Sequence, residues 1–468
     1  MRQFQISDKD LRDVITQGLS SGADYVDIYF EHSATTSVSL LNGSENRASQ
    51  NIDYGAGVRV VTGEKTGYAY TEVITPQSLM DAVKQASRIS QTSAGNVSLP
   101  AFDCQPSLPL YYNNEGNILQ PDGATIRYLV DYLRQMYELL RQADSRIDGV
   151  NASVLHKVKR FAVVNSLGQI IEEERPITNI SVGCVITHEG RTEQSNENRS
   201  MLSSLDVLTP ELQKELCDSL VGKLHFALTA KQVKGGEMAV VMGPGSTGVL
   251  LHEAIGHAFE ADFVRRKESV FTDKLGKQIC DSSINVVDDG TLPLMRGSIH
   301  FDDEGVQSQC TNLVTEGRLT SFIHDRISAR FFDIEPTGNG RRESFRFMPL
   351  PRMRNTYMLA GHDTEEDLIA SVKHGIYVKD LSNGQVMIGA GNYSFYVRSG
   401  YLIEDGRLTQ PIKDVNIIGN GPQTLADIRG VASNMQLAPY IWHCGKGGQS
   451  CPVSCGMPSV LVEKLTVG

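Results

Sequence analysis

Extended and helical patterns occupy separate stretches of this 468-residue chain instead of alternating, and that segregation restricts its fold more than any other feature. Regular strand–helix alternation builds a parallel sheet covered on both faces, whereas segregated blocks build an α+β protein with mainly antiparallel sheets. Ser7 followed by DKDLRDVITQGLSS reads as a capped helix with Leu11, Val14, Ile15 and Leu19 on one face. From Tyr25 to about Val73 the runs VDIYF, TSVSLL, GVRVV and TGYAYTEV, punctuated by Asn-Gly and Gly, read as antiparallel strands. Thr75-Pro76 supplies an N-cap and a first-turn proline to a second helix. The stretch from about Thr92 to Asp122 has no period and reads as a long loop. A third helix is predicted from about Gly123 to Ala143, a hairpin turn at Asn165-Ser166-Leu167-Gly168, and a fourth helix from Thr209-Pro210 to about Ala230.

The pattern shifts at Lys234-Gly235-Gly236, a plausible hinge, after which EMAVVM reads as a buried strand. One helix is expected near His252 and another from about Asp363 to His374, closed by Gly375 as a C′ residue; the remaining segments, such as INVVDDG and PSVLVEKLTV, are strand-like. At about 150 residues per domain the length accommodates two large domains or three smaller ones. The expected division is an N-terminal α+β domain at 1–232 and a C-terminal, mainly antiparallel β domain at 233–468 that carries the His252 helix.

Charge narrows the functional classes. With 44 basic and 55 acidic residues the net charge is −11, which leaves no basic face to follow a phosphate backbone, so no direct nucleic-acid partner is expected. The opening MRQFQISDKDLRD lacks the cationic and apolar regions of a signal peptide, and no window of about 18 residues is continuously apolar. A cytoplasmic protein without membrane association is the expectation. Eight cysteines are too sparse for a disulfide scaffold, but Cys444, Cys451 and Cys455 crowd together, which reflects either coincidence or metal and redox chemistry.

The segment GPGSTGVLLHEAIGHAFEADFV, Gly243 to Val264, is the most informative. It is not a phosphate loop, because Val249 and Leu250 stand where Lys and Ser or Thr are required. His252-Glu253 opens like the zinc-protease motif H-E-x-x-H, yet the second histidine is His257, five positions on. At about 100° per residue, an i,i+5 pair diverges by about 140° and cannot share a metal on a regular helix. Either the histidines are unrelated, or the helix is widened around Gly256, the residue most tolerant of such distortion. A third ligand would come from nearby Glu260 or Asp262, or from the distant WHCGKGGQSCPVSCG segment with His443 and Cys444. Two imidazoles and one thiolate, with a fourth position for water, form an open catalytic zinc site. Glu253 is then placed to accept a proton from that water as general base, and amide hydrolysis is the natural reaction.

HEAIGHAFEADFVRR resembles the H-E-x-x-x-H motif of the TldD/PmbA family, specifically its metal-bearing TldD branch. The likeness continues through VVDDGTL, FDDEG, PTGNGRRES, PLPRMRNTYML and CGKGGQ; it is strong from about Gly236 to Gly468 and diffuse before that. The resemblance implies a zinc metallopeptidase with His252, His257 and Cys444 as ligands and Glu253 as catalytic base. It also implies a homodimer, or a heterodimer with a metal-free sister subunit, and peptide substrates held extended in a cleft. Cys451 and Cys455 depart from the family, whose other members commonly carry aliphatic residues there.

Arg341, Arg342 and Arg352 are candidates for binding a peptide carboxylate or carbonyl, or alternatively for pairing with Asp302, Asp303 and Glu304 in a structural ion network. His300, His324 and His443 are expected to be ordinary histidines, and Tyr393 and Tyr396 packing residues on a strand. The expected function is zinc-dependent hydrolysis of unfolded or short peptides. The alternatives are a non-catalytic peptide-binding subunit of a TldD/PmbA-type complex and a zinc hydrolase of another amide.

Overall fold

The computed structural model describes residues 1–89, 97–106, 111–112, 122–387 and 390–468. Its first half is organised on one seven-stranded sheet: β1 (Tyr25–Leu41), β2 (Ser44–Thr62), β3 (Lys65–Thr71), β4 (Asp103–Pro106), β5 (Ile147–Asn165), β6 (Gln169–His188) and β7 (Arg191–Met201). The order is β3-β2-β1-β5-β6-β4, with β7 also on β6, and every pairing is antiparallel except β4–β6. Strands of 17 to 20 residues are long enough for one sheet to carry two separate cores. Helices α1 (Asp8–Ser20) and α2 (Pro76–Ala86) cover one end, packing Leu11, Ile15, Leu79 and Val83 on Val26, Ile28 and Val58. Helices α3 (Gly123–Ala143) and α4 (Pro210–Thr229) cover the other, packing Leu133, Met136, Leu216 and Leu220 on Val154, Ile180 and Val182.

Local chemistry fixes these helices where expected. Ser7, Thr75 and Thr209 each accept a backbone N–H of the first turn, satisfying donors that a helix start leaves free. The β5–β6 hairpin turns at Ser166–Gly168, with Gly168 at φ +84°. The long loop expected between Thr92 and Asp122 lies partly outside the described residues; within the described part, Asp103–Pro106 is a strand, because β6 supplies it with a parallel partner.

The second half contains two mainly antiparallel seven-stranded sheets and a two-stranded pair, Gly340–Arg341 with Leu350–Pro351, which makes the chain α+β. Strand β8 (Gly236–Met242) is central in one sheet, paired in parallel with His374–Met387 and antiparallel with Val460–Val467. The other sheet contains Cys310–Thr315, Val286–Asp289, Asn355–Met358 and Gln449–Met457, the last forming a hairpin with Trp442–Lys446. The short helix α5 (Val249–Ala254) buries Val249, Leu250, Leu251 and Ala254 in the same apolar cluster as Val453 and Met457. The expected helix near Asp363–His374 is shorter, Glu365–Ala370, and Gly375 does not close it. Gly375 instead lies in the strand beside β8, where a Cβ would meet the Ala239 carbonyl at 2.2 Å. Among the described residues, no helix is long and apolar enough to cross a membrane.

Arg59 on β2 ties the first sheet to the second half. Its guanidinium donates to Asp27 at 2.8 Å and to Glu304 at 2.6 Å, and all three side chains are fully buried.

Candidate metal centre

Helix α5 carries His252 and Glu253 and then stops. Ile255 leaves the helical region at φ −132°, and Gly256–Phe259 follows as a tight 3₁₀ turn. The widened turn expected around Gly256 is therefore a break instead. Packing accounts for it: a Cβ on Gly256 would meet Met353 Sδ at 2.4 Å, so a glycine lets the new turn start against that side chain. The break redirects the chain, and the His252 and His257 rings come to lie edge to face with centroids 5.1 Å apart.

Cys444 arrives from the C-terminal hairpin. Gly447 and Gly448, both at positive φ, form its turn, and Lys446 pairs with Gln449 across it. Cys444 Sγ lies 3.4 Å from His257 Nε2, and one ligand atom each from His252, His257 and Cys444 falls within 4.8 Å of the others. All three residues are buried, and His252 Nδ1 has no hydrogen-bond partner among the described residues. His443 belongs to the opposite face of its strand, where Arg296 Nη2 reaches its Nε2 at 2.6 Å.

Glu260 and Asp262, the nearby ligand candidates, take a different position. Glu260 Oε2 faces His257 Nδ1 at 3.0 Å, and Lys446 Nζ approaches the same carboxylate at 3.0 Å and Asp262 at 2.6 Å. This contact fixes His257 with its Nδ1 protonated and its Nε2 turned to Cys444. Burial alone would raise the Glu260 carboxyl, but Lys446 and His257 hold it down at about 2. Burial would likewise lower His257, yet Glu260 and Cys444 outweigh it and push it well above its ordinary value. The Cys444 thiol, which burial would raise, is held well below its usual range by His252 and His257. Two nitrogens and a readily ionised sulfur, braced by a carboxylate behind one imidazole, are the donor set that suits zinc. Glu253 stands at the rim, its side chain 30% exposed and its Oε2 3.9 Å from His257 Nε2.

The three arginines are buried and have internal partners. Arg341 donates to the Met353 and Pro452 carbonyls at 2.6 and 2.7 Å. Arg342 donates to the Asp303 carbonyl at 2.9 Å and lies 3.6 Å from Asp27. Arg352 donates to the carbonyls of Cys444 and Gln449, bracing the hairpin from beneath. Asp302 and Glu304 are occupied elsewhere: Asp302 accepts the Val306 and Gly340 N–H groups, and Glu304 pairs with Arg59. Sequence reasoning did not single out Lys446 or the bracing role of Arg352; the signal available was their place in the CGKGGQ and PLPRMRNTYML blocks.

A cleft of about 1540 Å³ runs between β7 and the second half, lined by Gln194, Asn196, Lys379, Arg398 and Tyr440, with Gly245 and Ser246 just before α5 on its wall. Among the described residues β7 pairs as a strand only with β6; its other edge borders this cleft over 192–196, and beyond that Ser200 N–H donates to the Pro439 carbonyl at 2.9 Å.

The same architecture occurs in TldE from Thermococcus kodakarensis, with a TM-score of 0.75 and 20% identity over 98% of this chain and all of that one. A solved structure from Thermotoga maritima matches with a TM-score of 0.77 over 99% of this chain. The PmbA/TldA metallopeptidase C-terminal domain matches residues 235–468, domain 1 of that family residues 26–90, and its central domain residues 120–225. A metalloprotease TldD homolog of Haemophilus influenzae is 37% identical over 95% of this chain and 93% of its own length. A zinc metalloprotease TldD homolog of Saccharolobus solfataricus is 26% identical over 96% of this chain. The chain belongs to the PmbA/TldD family of metallopeptidases.

Proposed function

We propose that this chain is a zinc-dependent peptidase acting on unfolded or short peptides, with His252, His257 and Cys444 holding the metal and Glu253 as general base. The observation that carries this reading is the meeting of Cys444 with two histidines, the nearer of them 187 positions away in sequence, beside an accessible carboxylate. Zinc, when bound, supplies a Lewis acid that lowers the pKa of a coordinated water towards 7. Glu253 accepts a proton from the attacking water at its carboxylate and returns it to the leaving amine. Glu260 keeps the His257 proton on Nδ1, and Lys446 keeps Glu260 ionised. The edge of β7 that borders the cleft offers backbone hydrogen bonds to an extended chain, which favours substrates selected by extension over side-chain identity. The protein works in the cytoplasm as a homodimer or beside a metal-free sister subunit that helps to enclose the cleft. A complete ligand and base set speaks against the non-catalytic subunit reading.

The test is metal content of the purified protein by mass spectrometry, combined with hydrolysis of an unfolded polypeptide with and without chelator. One zinc per chain and chelator-sensitive cleavage are expected, while a rigid folded domain should survive. Chelator-resistant cleavage would overturn the proposal.

A further inference from the structure

Cys444 has a second cysteine as its cross-strand neighbour. In the hairpin register Lys446 pairs with Gln449, Gly445 with Ser450 and Cys444 with Cys451. Residues directly opposite in an antiparallel pair project to the same face, with Cα atoms about 4.5–5.5 Å apart, and a disulfide spans Cα separations of about 4.4–6.8 Å. Both cysteines are buried and both are free thiols. Arg352 donates to the carbonyls of Cys444 and Gln449, one on each strand, and so holds the hairpin together around this pair. The site also reaches solvent at the partly exposed Glu253, so a small oxidant has a way in. Cys455, by contrast, lies four residues further along the strand, paired with Thr356 of the neighbouring strand.

We propose that Cys444 and Cys451 form a reversible disulfide that withdraws the cysteine ligand and switches the metal centre off under hydroperoxide stress. The proposal rests on the reading of Cys444 as a metal ligand. A hydroperoxide oxidises the Cys444 sulfur: the O–O bond breaks, sulfur takes one oxygen as sulfenic acid, and water leaves when the peroxide is hydrogen peroxide. The Cys451 sulfur then attacks that sulfenic sulfur, forming the S–S bond and releasing a second water. Overall two thiols and one hydrogen peroxide give one disulfide and two waters. A dithiol reductant reverses the reaction by exchange, returning both thiols. Once in the disulfide, the Cys444 sulfur has no thiolate to offer a metal, so only the two imidazoles remain.

The experiment treats the zinc-loaded full chain with hydrogen peroxide and reads three quantities: free thiols, released zinc and the Cys444–Cys451 crosslinked peptide by mass spectrometry. Two of the eight thiols should disappear, about one zinc equivalent should be released, and dithiothreitol with added zinc should restore both. Cys451→Val should bind zinc like the parent but yield no crosslinked peptide and no dithiothreitol-reversible zinc release. Failure to find the crosslink, even with the metal stripped by chelator beforehand, overturns the disulfide. A crosslink that forms while zinc stays bound spares the disulfide and overturns Cys444 as a ligand, so the two readings fail separately.

Discussion

Glu260 Oε2 and His257 Nδ1 lie 3.0 Å apart inside the protein, and the same carboxylate is held by Lys446. A carboxylate behind a ligating imidazole fixes its tautomer and raises its basicity, and losing it costs about 10–100-fold in metal affinity. Glu260→Gln should therefore weaken zinc binding by about that factor, read by competition with a chromophoric chelator. Unchanged affinity would reduce Glu260 to a purely structural partner of Lys446.

Glu253→Gln tests the base alone. The amide preserves size and hydrogen bonding but cannot take the proton, so zinc content should match the parent while peptide hydrolysis falls by about 10²–10⁴-fold. Retention of most turnover would remove Glu253 from the mechanism.

Cys444→Ala should lose zinc and activity together, whereas Cys451→Ala and Cys455→Ala should keep both under reducing conditions. Loss of metal in either of the latter, with retention in Cys444→Ala, would show that the wrong cysteine has been assigned.

Acid sensitivity has a defined window. Burial pushes His156 and His324 from an ordinary 6.5 down to about 4. Between these values the unfolded chain binds the protons and the folded chain does not. The contribution of these two histidines is thus complete above pH 6.5 and falls as pH drops towards 4, by up to about 3 kcal/mol per histidine. His156→Gln, which can keep the contact to Thr178 Oγ1, should lose stability less steeply over this window. Melting temperatures at half-unit pH intervals provide the measurement; an identical slope in parent and variant would exclude His156.

Arg59→Met should destabilise the fold by about 3–5 kcal/mol, because Asp27 and Glu304 would be left buried without their nearest counter-charge, Asp27 keeping only the longer contact to Arg342. Urea unfolding measures this directly. A neutral result would mean that these carboxyls find protons or other partners at little cost.

What the sequence discloses here is what local chemistry decides. Helix α3 spans the Gly123–Ala143 stretch that its apolar period predicts, and Ser7, Thr75 and Thr209 cap where their side chains can reach first-turn N–H groups. Gly375 misleads because a glycine after a helix and a glycine beneath a neighbouring strand look alike until Ala239 is placed. Likewise Asp103–Pro106 shows no period of its own, since its partner, Gln169–Glu172, lies more than 60 residues away. At the metal centre, the histidine spacing announces a distorted helix but cannot distinguish a widened turn from a break, which Met353 decides. Glu260 is visible as a carboxylate near His257, yet only the arrival of Lys446 makes it a brace instead of a ligand.

The position of β8 between His374–Met387 and Val460–Val467 bears on how the protein is made. Both partners of this strand leave the ribosome after it, the second of them more than about 200 residues later. At about 5–20 residues per second, one edge of EMAVVM waits on the order of 10–40 s for its partner. Cys444 is equally late, so a chain still being translated carries its histidines without the sulfur that joins them in the fold. Under the proposed ligand set, the site stays incomplete throughout the period when unfolded polypeptide, its own included, is closest at hand.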